Sequence, residues 1–180
     1  FETGSVVVFN NCNITENYAG SQGGGFFIQD YSTPLSLNNC LVFNNVAGNH
    51  GGGFYIYPHS YLILTNCTVV ANAALAELSG ASDRGSAVYL TQYTHLFSLN
   101  TIFWYNGYYD NPQPPIFQGV DNFISIVYSN IEDGGWEGAG NIDADPMFGE
   151  YPGFLLLEGS PCIDAGDPTY PYDPDGTIAD

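Results

Sequence analysis

Two stretches near the C-terminus carry carboxylates at a spacing that suits a cation. "DPDGTIAD" presents Asp173, Asp175 and Asp180 around a glycine, and its D-x-D-G opening is typical of calcium loops. "NIDADP" adds Asp143 and Asp145, whose side chains share one face if the segment is extended. Neither stretch has the full ligand set of an EF-hand. The pattern predicts a structural Ca²⁺ at these five residues, and the alternative is a solvated acidic cap with ordinary turn chemistry.

Aromatic residues form a second candidate site. "FFIQ", "FYIY" and "VYLT" alternate in a way that predicts short β-strands with every second side chain directed outward. Rows of exposed rings offer flat faces to sugars, so we expect a neutral glycan to bind here. The alternatives are that the rings only stabilise the sheet, or that another surface protein or a second copy covers them. The predicted ligand-binding residues are Phe27, Tyr31, Tyr55, Tyr57, Tyr89 and Tyr93.

The elements that position these residues come from an internal repeat. Asn-Cys pairs end at Cys12, Cys40 and Cys67, which are 28 and 27 residues apart. Thr101 and then Ile131 continue the Cys column, preceded by Asn100 and Asn130. Offsets that agree in several columns indicate a true period. The other columns include the glycine clusters "GGGFFI", "GGGFYI" and "GSAVYL", and the asparagines Asn17, Asn45, Asn72 and Asn106.

A period of this length, with short alternating strands and no helical spacing, predicts an all-β fold, a right-handed parallel β-helix of about five coils. Stacked coils place equivalent residues above one another, so the asparagine columns are expected to form side-chain amide ladders. We expect the coils to span residues 1–140 and an irregular acidic C-terminal cap to span residues 141–180 of the same domain. The cysteine column is expected to hold buried thiols in preference to disulfides, because Thr and Ile take the same position.

The charge restricts the partners. The chain has 180 residues, one basic residue (Arg84) and 19 acidic ones, giving a net charge of -18. Such a surface repels nucleic acid and anionic membranes. No apolar run reaches the length of a membrane span, so we expect no membrane insertion by this segment.

Two family resemblances follow from these motifs. "ITEN", "VFNN", "VVAN" and "FWYN", paired with "GGGF" and "GSAV", resemble the FxxN and GGA(I/L/V) repeats of polymorphic outer membrane proteins, which are surface β-helices implicated in adhesion. The tail from "NIDADPMF" through "FLLLEGSPCIDAGDP" to "DPDGTIAD" resembles the end of bacterial choice-of-anchor Q domain proteins, which are secreted β-helices. The resemblance implies an extracellular or cell-surface location and no shared activity.

Three functions follow from this sequence, in order of preference. The first is a non-catalytic structural or adhesive module that binds glycans. The second is a self-assembling extracellular filament subunit. The third is a polysaccharide lyase or hydrolase, for which Arg84 is the single candidate base because the chain contains no Lys.

Overall fold

A computed structural model describes residues 6–29, 33–75, 85–107, 114–150, 153–172 and 176–179. In these ranges the ordered elements are short β-strands, with no helix long and apolar enough to cross a membrane. The strands are β1 (Val7–Asn10), β2 (Asn13–Thr15), β3 (Tyr18–Ala19), β4 (Phe26–Ile28), β5 (Leu35–Asn38), β6 (Leu41–Phe43), β7 (Val46–Ala47), β8 (Phe54–Ile56), β9 (Tyr61–Thr65), β10 (Thr68–Val70), β11 (Ala73–Ala74), β12 (Val88–Leu90), β13 (His95–Leu99), β14 (Ile102–Trp104), β15 (Ile116–Gln118), β16 (Phe123–Val127) and β17 (Asn130–Ile131).

The strands stack into four parallel sheets that run the length of a β-solenoid. Sheet 1 has the order β1-β5-β9-β13-β16, sheet 2 has β2-β6-β10-β14-β17, sheet 3 has β3-β7-β11, and sheet 4 has β4-β8-β12-β15. The first three coils contribute one strand to each sheet and later strands extend sheets 1, 2 and 4, which confirms the predicted all-β parallel β-helix. The solenoid has about four turns instead of five, because after β16 and β17 the chain leaves the coil path.

The core is a set of columns of like residues inside the coils. Val42, Val69 and Phe103 occupy one column in sheet 2 and are fully buried. Phe26 and Phe54 stack in sheet 4 with ring centroids 5.3 Å apart. Trp136 packs against the core from the segment that follows β17. Burial of these side chains is the main favourable term in the stability of the solenoid.

A ladder of asparagine amides crosses the coils beside sheet 3. Asn17, Asn45, Asn72 and Asn106 stack in that order, and each of the first three donates its backbone N–H and its Nδ2 to Oδ1 of the next, at 2.8–3.2 Å. Asn45 and Asn72 are fully buried. Each buried amide also donates to a carbonyl of the preceding coil, as Asn72 does to Val42 at 2.9 Å. The predicted ladder is confirmed in this column.

The asparagines of the Asn-Cys column contribute to the fold mainly through their backbone conformation at the bend. Asn11, Asn39, Asn66 and Asn100 all have φ near +50°, a left-handed conformation that Asn tolerates better than most residues. One amide pair in this column is bonded, since Asn100 donates to Asn66 at 3.0 Å.

The glycine clusters mark a second bend. Gly51 has φ +67°, and a Cβ there would lie 2.3 Å from the carbonyl oxygen of Phe54.

The predicted register of the last coil is wrong by two residues. Ile131 pairs with Phe103, and Asn130 pairs with Ile102. The residue in the Cys column is therefore Ser129, whose hydroxyl accepts the Thr101 N–H at 3.2 Å. Ser129 follows Thr101 by 28 residues, which is the spacing between Cys12 and Cys40, although the residue type in the column is different.

The cysteine column forms a stack of free thiols on the inside of the coils. Cys12 is half-buried, and Cys40 and Cys67 are buried. The thiol of Cys67 lies 3.4 Å from the Leu37 carbonyl oxygen of the coil below. Burial raises the pKa of Cys67 to about 12 and also raises that of Cys40. These thiols therefore stay protonated and act as small apolar groups.

The C-terminal segment lies along the outer face of sheet 2 as well as over the end of the coil. Phe154 contacts Phe43 of the second coil at 5.3 Å between ring centroids. Asp167 donates its backbone N–H to Asn100 Oδ1 at 2.8 Å. This cover explains why Phe43, although it alternates with the inward Val42, is only 6% exposed.

We expect Asn72→Ala to lower the free energy of unfolding by about 2–5 kcal/mol. The substitution leaves the Val42 carbonyl and the Asn45 amide without their partners in a dry interior, and each orphaned group costs about 1–3 kcal/mol. Asn17→Ala is the matched control, because it removes the exposed end of the same ladder, and its cost should stay below about 1 kcal/mol. Urea unfolding measures both values. Equal costs for the two variants would contradict the ladder's role in stability.

Candidate functional site

The principal outward feature of sheet 4 is a column of four aromatic rings. Phe27, Tyr55, Tyr89 and Phe117 are in register on β4, β8, β12 and β15. Their ring centroids are 5.2, 5.3 and 4.6 Å apart, and neighbouring planes differ by 3°, 5° and 18°. The parallel register fixes this geometry, because equivalent residues of adjacent strands lie about 4.8 Å apart.

Stacking limits the ring surface that a ligand could contact in this column. The rings face one another along the solenoid axis, so the inner rings present their edges to solvent. Tyr55 is only 7% exposed, whereas Phe27 at the N-terminal end of the column is 46% exposed. The expectation of an open flat face is therefore wrong for Tyr55, since Phe27 and Tyr89 cover both of its faces. Burial raises the pKa of Tyr55, the nearby hydroxyls of Tyr89 and Tyr57 add to the rise, and a hydrogen bond with Gln22 opposes it.

The remaining predicted aromatic residues lie beside this column. Tyr57 is half-buried and its ring is tilted by 43° against Phe27 at 6.2 Å. Tyr93 is at the next bend, stacks on His59 at 5.2 Å and is 43% exposed. Tyr31 lies outside the described residues.

A second group of rings, which the sequence interpretation did not single out, lies on the outer face of sheet 1. Tyr61 stacks on His95 at 4.3 Å, His95 approaches Phe123 at 6.0 Å, and Phe97 approaches Phe123 at 5.4 Å. Phe97 is 38% exposed and Phe123 is 53% exposed. The alternation in "HLFSL" and "FISIV" was the signal for these outward positions. We call these four residues, Tyr61, His95, Phe97 and Phe123, together with the predicted Tyr93 at the bend before β13, the aromatic patch.

The aromatic patch differs from the sheet 4 column in how much of its ring surface stays exposed. Two of its ring pairs are tilted, by 42° between Phe97 and Phe123 and by 31° between His95 and Phe123, whereas Tyr61 and His95 stack with planes 16° apart. Tilted rings do not cover one another completely, so Phe97 and Phe123 keep part of their faces accessible. Tyr61 and His95 are the polar members of the patch and are half-buried, with Nδ1 of His95 fully buried. Apolar surface with a few adjacent polar groups is the usual composition of a site for small neutral molecules.

The predicted calcium ligands are only partly within the described residues. Asp173, Asp175 and Asp180 lie outside them. Asp143 accepts the Gly134 N–H at 2.8 Å, and Asp145 accepts the Met147 N–H at 2.8 Å. In the described ranges no three His, Cys, Asp or Glu side chains come together in a way that would hold a metal ion. The two described carboxylates therefore stabilise turns. Arg84, the candidate base, also lies outside the described residues.

The carboxylate with the most unusual environment is Glu132, which ends the asparagine ladder. Its Oε1 accepts the Asn106 N–H at 2.6 Å and its Oε2 accepts the Tyr105 N–H at 2.8 Å. Glu132 thus takes the acceptor role that the next asparagine would have. Burial raises its pKa to about 7, and the charges of Asp133 and Asp143 add to the rise, while the two backbone hydrogen bonds oppose it. This role could not be predicted from the sequence, because Glu replaces the residue type that defines the column.

Comparison with known proteins identifies no function for this chain, so a function must be inferred from its fold and its candidate site. The chain matches no protein-family model, no curated protein sequence and no solved structure. The resemblance to polymorphic outer membrane proteins and choice-of-anchor Q domain proteins is supported at the level of a parallel β-helix repeat.

We expect Glu132 to make the protein less stable as the pH rises from about 4.5 to about 7. Its pKa is raised in the folded protein above the unfolded value of 4.5, so the folded state holds the proton more tightly. The resulting stabilisation is complete below pH 4.5 and is lost as the pH passes the folded-state pKa. Glu132→Gln should reduce this decline in the free energy of unfolding, measured by urea unfolding at several pH values.

The control for this measurement is Glu137→Gln, which removes the same charge from an exposed residue of the same segment. Its stability should follow the pH dependence of the unmodified protein. A pH dependence that is identical in the Glu132 and Glu137 variants would show that Glu132 does not carry the effect.

Proposed function

We propose that this chain is a non-catalytic module of a secreted or cell-surface protein and that its aromatic patch binds a neutral glycan. The observation that carries the proposal is the exposure of Tyr93, Phe97 and Phe123 on neighbouring coils. Aromatic residues of this size rarely gather on a monomer's surface without an interaction partner. The ring column on sheet 4 has a different role in this proposal, since its stacked faces hold the coils together and stiffen the support.

Charge selects the kind of glycan. The net charge of -18 repels uronates and sulfated sugars, whereas neutral polysaccharide pays no such cost. Each ring contact contributes about 0.5–1.5 kcal/mol, so binding through a single ring is weak. Useful affinity then requires one polysaccharide chain to touch several coils at once.

The location of the module is also a proposal. It is supported by the repeat and tail motifs that resemble bacterial surface proteins, and by the acidic surface, which disfavours nucleic acid. A parallel β-helix suits an adhesive role because it presents one long face of repeated side chains.

We expect the double variant Tyr93→Ala and Phe123→Ala to weaken binding to a neutral polysaccharide on the order of 30-fold. Each exposed ring is assigned about 1 kcal/mol, or roughly five-fold in affinity. Affinity electrophoresis in gels that contain soluble β-glucan, α-glucan, mannan or xylan measures the change. The same gels test whether the unmodified protein binds any of the four.

The matched control is Tyr172→Ala, because Tyr172 is 63% exposed but belongs to the C-terminal segment and is not part of the patch. It should leave binding unchanged. Retardation by no neutral polysaccharide, or an equal loss in Tyr172→Ala, would contradict the glycan proposal. Release of new reducing or unsaturated sugar ends by the native protein would favour the enzyme alternative instead.

Calcium is the second part of the proposal, as a structural ion of the C-terminal segment held by Asp173, Asp175 and Asp180, with Asp143 and Asp145 as further ligands. The support is the D-x-D-G opening and the acidic composition of this segment. Each described carboxylate uses one oxygen for a backbone amide, so the other oxygen of Asp143 and of Asp145 remains for a cation.

We expect a calcium chelator to lower the melting temperature, since an ion bound only by the folded state stabilises it by mass action. Asp175→Ala should abolish the response to chelator. Glu158→Ala, which removes an exposed carboxylate of the same segment, should retain it. A melting temperature that does not change with chelator in the unmodified protein would leave the segment as an acidic cap without calcium.

A further inference from the structure

The exposed rings of the aromatic patch alternate between two neighbouring coils. Tyr93 and Phe97 belong to the coil of β13, and Phe123 belongs to the next coil, on β16. Phe123 pairs with His95, which lies midway between Tyr93 and Phe97 in the sequence. The three exposed rings therefore form a row that follows the direction of β13 and runs across the solenoid axis.

Two of these rings have a polar side chain in register on the other coil. Ser125 pairs with Phe97, and His95 pairs with Phe123. Ser125 is half-buried. Because Nδ1 of His95 is fully buried, Nε2 is the imidazole nitrogen that is left for a ligand. A pyranose ring has an apolar face and hydroxyl groups at its rim, so an exposed ring beside a polar group suits one sugar unit.

The third ring, Tyr93, has the same arrangement at the bend before β13. Asp121 takes the equivalent position of the next coil, since both residues have φ +56°. The residues that follow them, Thr94 and Asn122, are joined by a hydrogen bond of 2.9 Å. Asp121 is exposed, and its carboxylate can accept hydrogen bonds from sugar hydroxyls while it repels an acidic sugar.

The row of open rings does not continue along the solenoid axis. Ile63 and Ser36 precede Phe97 in its column, on β9 and β5, and neither carries a ring. His95 precedes Phe123, and its own ring is covered on one face by the stacked ring before it at 4.3 Å. A polysaccharide that followed either column along the axis would contact a single open ring, whereas one that follows β13 contacts three.

We propose that the aromatic patch binds an unbranched run of three sugar units along β13, one unit on each of Tyr93, Phe123 and Phe97. This inference rests on the proposed glycan function and names its ligand as a neutral, linear oligosaccharide. The ring centroids of Phe97 and Phe123 are 5.4 Å apart, so one sugar unit covers about one ring. Ser125 and Asp121 bind hydroxyl groups at the two ends of the run and thereby select the sugar.

The experiment is competition in the affinity gels by soluble oligosaccharides that have the linkage of the retarding polysaccharide. The probes are the cello-, malto-, manno- and xylo-oligosaccharides, from the monosaccharide to the hexasaccharide. We expect the trisaccharide to be the shortest probe that restores the mobility of the protein, because it is the shortest that reaches all three rings. A monosaccharide or disaccharide that competes as well as the trisaccharide, or a requirement for a longer probe, would overturn the inference.

Ser125→Ala tests the direction of the run. It should weaken competition by the trisaccharide about five-fold, which is the effect of one hydrogen bond. The matched control is Ser36→Ala, which removes the same hydroxyl from a half-buried residue of the same column, two coils before Phe97. It should leave competition unchanged, and far-ultraviolet circular dichroism confirms that both variants are folded. An equal loss in the two variants, or no loss in Ser125→Ala, would contradict a run along β13.

The outcomes separate this inference from the function on which it rests. The inference alone fails if the native protein binds a polysaccharide through Tyr93 and Phe123 but the probe lengths or the two serine variants disagree with the expectation. Retardation by no neutral polysaccharide refutes the glycan function and the inference together.

Discussion

The in-register parallel pairing of successive coils is the constraint on which the rest of this structure depends. Once Val42 lies over Ile14 and under Val69, every other residue of the coil must also lie near its equivalent. A stack of identical side chains is favourable only for a few residue types. Asparagine amides bond to one another, aliphatic and thiol groups pack, and aromatic rings stack, whereas like charges would repel. The repetitive sequence and its low content of charged residues in the coils both follow from this constraint.

The same constraint decides which aromatic residues can meet a ligand. At the spacing of adjacent strands, two parallel rings leave no room for a third molecule between them. The column of Phe27, Tyr55, Tyr89 and Phe117 is therefore a cohesive element. Faces are more accessible where neighbouring rings are tilted against one another, as Phe123 is against His95 and Phe97.

The sequence predicted those parts of the structure in which spacing and residue type agree. The coils, the inward cysteine stack, the Asn17–Asn106 ladder and the left-handed bends all followed from repeated offsets. In the last coil the interpretation followed residue type and placed Asn130 and Ile131 two positions out of register, whereas Ser129, which is 28 residues after Thr101, lies in the Cys column. Residue type was misleading there because backbone pairing does not depend on the identity of the side chains. The position of the C-terminal segment could not be predicted, because Phe154 and its neighbours belong to no repeat and contact Phe43 through tertiary packing alone.

The last coil differs from the others because its residues end the stacking. At the C-terminal end, Trp136 covers the core, and Glu132 ends the amide ladder by accepting two backbone N–H groups. A carboxylate can end a ladder that an asparagine would extend, because it accepts hydrogen bonds and has none to pass on. Every asparagine of the ladder donates toward the C-terminal end, from Asn17 through Asn72, so the hydrogen bonds of the ladder all run in one direction.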